Sequence, residues 1–232
     1  MDTTWINIGG LLIRAPVNAG TNLLLAIQCL VYFAGLRKRS DGRIRNWGLF
    51  FLLMGAATLA GVAKHGFRHL LEGDPLVLVL ALSNVATGFA TYFAQRATLD
   101  SFPGTHRPLR LLIAVQLSAY LAANLAVGPE IVLLIANTLV GLSPVIAVEA
   151  ARARTVPGSR LVAAGLSLSI LTGGAYLGGF SPSRWFNHID VAHLFMGVSF
   201  HMIWRGVAEG AGSLPRRASR RSEAALAGGV AP

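Results

Sequence analysis

Residues 17–45 read VNAGTNLLLAIQCLVYFAGLRKRSDGRIR. An uncharged stretch, Val17–Leu36, runs directly into a cluster holding Arg37, Lys38, Arg39, Arg43 and Arg45. About 20 apolar residues in helical form cross the roughly 30 Å hydrocarbon core of a bilayer. Lys and Arg gathered directly behind such a segment mark a cytoplasmic flank. Similar segments follow at Trp47–Gly66, Pro75–Gln95, Leu109–Val127, Ile131–Ala151, Leu161–Gly179 and Ile189–Val207. Hydrocarbon satisfies no backbone polar group, and there is no alternating pattern for a barrel, so each segment is read as a helix. The expected fold is all-α: a seven-transmembrane-helix bundle over residues 17–209. An extracytoplasmic segment, 1–16, precedes it, and a basic tail, 210–232, follows it as a disordered stretch.

Composition agrees. Apolar residues make up 53% of the 232 and charged residues 13%, with a mean hydropathy of +0.57. Soluble domains carry about 25% charged residues. The net charge of +10 does not indicate nucleic acid, because the basic residues fall in short clusters between apolar segments and no base-reading motif is present. The lone cysteine, Cys29, permits no internal disulfide and no cysteine-based metal site. The opening MDTTWINIGG lacks the basic leader of a secretory signal.

Counting Lys and Arg sets the expected orientation. One side, made of the tail, the loops after segments one, three and five and the segment ends beside them, holds sixteen of the 20, among them Arg96, Arg107, Arg110, Arg152, Arg154, Arg160, Arg205 and Arg216. The opposite side holds Arg14, Lys64, Arg68 and Arg184. The richer side faces the cytoplasm, so the amino terminus lies outside. Short loops suit a bacterial cytoplasmic membrane. Two stripes of small residues, Ala86/Ala90/Ala94 and Gly165/Ser169/Gly173, read as close-packing faces. Gln28, Asn84, Gln116, Asn124 and Asn137 read as interhelical hydrogen-bonding groups.

This topology gathers ionisable residues at the outer end. The second segment ends on His65 and His69, followed by Glu72 and Asp74; the seventh opens with His188, Asp190 and His193. Asp190, His193, Gly197 and His201 follow helical steps and share a stripe. Ionisable groups within a membrane face the bundle interior or a wet cavity. Neutral imidazole ligates zinc, and a carboxylate ligates the metal or orients its ligands. The candidate metal ligands are therefore His65, His193, His188 and His69, with Asp190 as the catalytic carboxylate. Zinc held this way makes hydroxide available near neutral pH, chemistry suited to a lipid amide or ester. The plain alternatives are interfacial histidines for His69 and His188, and a helix-start acid for Asp190.

Gly61-Val-Ala-Lys-His65-Gly-Phe67 and Phe186-Asn-His-Ile-Asp190-Val-Ala-His193 resemble the superfamily of alkaline ceramidases and progestin/adiponectin receptors. They are closer still to a bacterial branch that carries Gly-x-x-x-His-Gly-Phe and Asn-x-x-Asp-x-x-His. The resemblance implies seven helices and a zinc held by one histidine from the second and two from the seventh. A serine one turn before the first histidine and an aspartate in the third helix complete that family site. Here Gly61 stands where the serine would be, Ile189 stands where a second histidine of the last helix would be, and Asp74 precedes the third helix.

Three functions remain open at this point: a non-enzymatic sensor or partner protein with a polar His/Asp cluster, a zinc-dependent lipid amide or ester hydrolase, and a small transporter. Retinal binding is excluded, since the lysines are Lys38 and Lys64 and none lies in the last segment. The bilayer is the one partner expected in every case.

Overall fold

The computed structural model describes residues 4–39, 41–104 and 106–212. Arg216, Arg217, Arg220 and Arg221 of the basic tail lie outside them. The described chain is helical: α1 Pro16–Leu36, α2 Gly42–Gly66, α3 Asp74–Leu99, α4 Arg107–Val127, α5 Ile131–Arg152, α6 Ser159–Gly178 and α7 His188–Gly212. Six of them, α1 to α6, are long and apolar enough to cross a membrane. At 25 residues α7 is as long, but it carries Asp190, His193, His201 and Arg205 and is less apolar.

Local chemistry sets the ends. Proline occupies the first turn of α1, α3 and α4, where its missing N–H is not needed. Asp41 caps α2 by accepting from the Ile44 N–H at 3.0 Å. Gly179 follows α6 in the left-handed conformation, φ 66°, where a side chain would be strained.

The amino-terminal segment differs from a plain extracytoplasmic extension. Trp5–Ile8 (β1) and Leu11–Arg14 (β2) pair as an antiparallel hairpin. Its turn is Gly9–Gly10, both at positive φ. Gly-Gly between two apolar runs is a two-residue hairpin signal, and the sequence carries it at Gly9–Gly10.

The helices α1, α2, α3, α5, α6 and α7 pack each on the next and close into a ring. α4 stands outside it, against α3 and α5, and buries only Ile113 and Tyr120. Amides tether it: Asn84 to Asn124 at 2.8 Å, Gln95 to Gln116 at 2.8 Å and Gln116 to Asn137 at 3.2 Å. This is the interhelical role expected of those residues. Large apolar side chains point outward throughout, among them Leu112, Leu125 and Val140. A soluble protein rarely exposes such a surface; a bilayer covers it.

Ala86, Ala90 and Ala94 are buried in the α3 interface. Gly165 lets α6 approach the α7 backbone, and the Ser199 hydroxyl reaches the Gly165 carbonyl at 2.8 Å. One turn further, the stripe turns into the interior, where Ser169 and Gly173 border a cavity. Trp47, Phe50, Phe51 and Phe200 fill the core nearer the basic end.

Candidate functional site

The first turn of α7 holds a capping box. The Asn187 side chain accepts from the Ile189 N–H at 2.9 Å, and Asp190 reaches back to the Asn187 N–H at 3.0 Å. Asp190 is fully buried. It also accepts from the Thr21 hydroxyl at 3.2 Å. A carboxylate only accepts, so the neighbouring Asn18 amide turns its nitrogen to it, 2.6 and 2.7 Å from the two oxygens. The Asn-x-x-Asp spacing that carried the resemblance is thus a helix start locked onto α1. Asp190 lines neither of the cavities described below, and holds the site without facing it.

Thr21 also meets His193 Nδ1 at 2.8 Å. With its own proton on Asp190, the hydroxyl accepts from Nδ1–H, which leaves Nε2 as an acceptor. The His65 ring stands edge-on to His193, centroids 6.4 Å apart. Both histidines border a central cavity of about 250 Å³ lined by α2, α3, α5, α6 and α7 together with Asn22 of α1. The cavity wall is mainly apolar, with Met54, Leu134, Leu142 and Phe200, and carries the hydroxyls of Thr58, Thr87 and Thr138. Lys64, His65, Tyr176 and Ile189 also border a second cavity, a vestibule of about 270 Å³ at the hairpin end of the bundle, also lined by Thr4, Arg14 and Ala15.

A Cβ on Gly61 would collide with the Asn22 side chain. The space a serine would use one turn before His65 is therefore taken by an amide from α1. Asn18, Thr21 and Asn22 are the site residues missing from the sequence reading. They follow helical steps along α1 and could have been found as a polar stripe on an otherwise apolar span.

The other proposed ligands stand apart. His69 packs edge-on to Trp5 of the hairpin, centroids 5.3 Å apart, beside Glu72. His188 lies against Tyr176, with Nδ1 3.4 Å from the Ser181 hydroxyl. His201 binds the Tyr32 hydroxyl at 2.9 Å, a contact between α7 and α1. Among the described residues no three His, Cys, Asp or Glu side chains converge as a metal would require. A catalytic zinc takes three protein ligands and keeps one position open. His65 and His193 supply two, and Asp190 is already engaged, so the set His65, His193, His188 and His69 does not fit that centre.

A family model matches residues 17–211. The chain belongs to that family, a family of unknown function (DUF6962). No curated protein and no solved structure matches it. The DUF6962 match runs from the first turn of α1 nearly to the end of α7. It takes in the whole Asn18–Thr21–Asp190–His193 cluster and leaves out the β1–β2 hairpin.

Proposed function

We propose that this DUF6962 protein is a membrane-embedded binding protein, of sensor or carrier type, for a small ligand with an apolar body and a polar end. In this reading all seven helices cross the bilayer, with the amino terminus outside and the carboxyl terminus in the cytoplasm. The observation that carries it is the central cavity, mainly apolar and bordered by the His65–His193 pair. Ligand sites are typically concave and apolar with a few placed polar groups. The relay from Asp190 through Thr21 keeps His193 in one orientation, as a specificity contact requires.

Filling the cavity tests this. A Cβ at Gly173 meets nothing within 4 Å, and Gly173 borders the cavity. Gly173→Leu is expected to weaken binding of a medium-chain monoacylglycerol by about tenfold or more, the cost of losing one well-placed chain segment. Thermal stability in mild detergent should be kept. Equal binding by the variant, or none by the wild type, would overturn the reading.

The competing reading, a zinc-dependent lipid hydrolase, has the His65–His193 juxtaposition in its favour. Elemental analysis of protein purified without chelator separates the two. The binding-protein reading expects no stoichiometric zinc. Near-stoichiometric zinc that is lost in a His65→Ala, His193→Ala double variant would replace it with the hydrolase.

A further inference from the structure

The vestibule collects charge of one sign. Its wall includes Arg14 from β2, Lys64 from the last turn of α2, Arg68 from the 3-10 turn after it, and Arg184 from the α6–α7 connection. These four are the whole basic complement of this end of the bundle, and separate segments bring them to one wall. No acidic side chain lines the vestibule among the described residues. Among the described residues Lys64, Arg68 and Arg184 form no ion pair, whereas Arg43, Arg110, Arg152 and Arg205 at the other end each have a carboxylate within 3.5 Å. Like charges held together beside a low-dielectric interior repel, and an anion between them removes that cost. Neutral donors stand beside the cations: the Asn187 amide and the His65 ring, which has no hydrogen-bond partner among the described residues.

We propose that the vestibule binds a phosphate group, carried as the head of a single-chain amphiphile whose tail enters the central cavity. A phosphate monoester brings about −1.5 to −2 charges and three strong acceptor oxygens. That matches several cations and neutral donors better than a single carboxylate does. Lys64 and His65 border both cavities, so head and tail sites meet at one boundary. The tail half of this inference rests on the binding-protein reading; the head half does not.

The test is calorimetric titration of the full chain in mild detergent with three probes: a medium-chain lysophosphatidate, the monoacylglycerol of equal chain length, and inorganic phosphate. Each is repeated on Arg68→Gln, Arg184→Gln and their combination. Both arginines are exposed, so these variants are expected to fold. Lysophosphatidate should bind at least tenfold more tightly than monoacylglycerol. Each substitution should weaken it by about tenfold, the scale of one charge-assisted hydrogen bond, and leave monoacylglycerol unchanged. If only inorganic phosphate binds, with the same sensitivity to the variants, the vestibule is a phosphate site fed by the free anion and the cavity reading fails. If both amphiphiles bind equally and ignore the variants, the vestibule proposal is wrong while the cavity reading stands. No binding by any probe overturns both.

Discussion

Gly206→Ala is expected to destroy the folded protein or to lower its stability by about 3 kcal/mol or more, at the upper end of overpacking costs. A Cβ on Gly206 would meet the Gly158 carbonyl, lie 2.9 Å from the Val162 backbone nitrogen and 2.8 Å from Val162 Cγ2. Two of those neighbours are backbone atoms, which have no rotamer to swing away. Gly158 begins α6 at φ +82°, a conformation that also favours glycine. Further along, a Cβ on Gly165 would lie 2.8 Å from the Ser199 carbonyl oxygen. α6 and α7 therefore approach backbone to backbone along much of their length. Close packing of this kind is a main source of helix association in lipid, where hydrophobic burial adds little. A Cβ on Gly174 of α6 meets nothing within 4 Å, and Gly174→Ala serves as the control. Monodispersity and thermal melting in mild detergent read the difference. A Gly206→Ala protein that melts with the wild type would mean that α6 and α7 do not pack this closely.

Asp190→Ala is expected to cost roughly 3 kcal/mol and to abolish ligand binding. The substitution orphans the Asn187 N–H and the Asn18 amide together and leaves the Thr21 hydroxyl only the Asn18 carbonyl, at 3.2 Å. A buried donor left without an acceptor costs about 1–3 kcal/mol, and such costs within one cluster do not simply add. It also frees Thr21, and with it the orientation of His193. Asp190→Asn keeps one acceptor oxygen but sets a second NH2 against the Asn18 nitrogen, so it should lie between the two. Thr21→Val provides the separation: it spares the capping box, so it should keep most of the stability while weakening monoacylglycerol binding through His193. An Asp190→Ala protein with wild-type melting would show that the α1–α7 contact is not held by this carboxylate. Loss of stability without loss of binding would confine Asp190 to the helix start.

The sequence by itself determined the helices and the class of solvent around them. A span is a local property, set by about 20 consecutive residues, and α1 to α6 begin and end within a few residues of the segments read from hydropathy. The amide pairs were legible for a similar reason: a polar side chain in lipid must find a partner on another helix, whichever helix that is. His65 and His193 were legible because helices that alternate in direction bring the end of the second and the start of the seventh to one face. The Gly-Gly hairpin and the Asn187–Asp190 capping box were also local signals, open to the same kind of reading. Only the tertiary structure decided which helices close the ring, that α4 stands outside it, that α1 supplies Asn18, Thr21 and Asn22 to the site, and that four scattered cations share one vestibule. In a soluble helix the apolar stripe points to the core. In lipid both the core face and the outer face are apolar, so periodicity does not name the neighbour, and the packing of backbones at positions such as Gly158, Gly165 and Gly206 does.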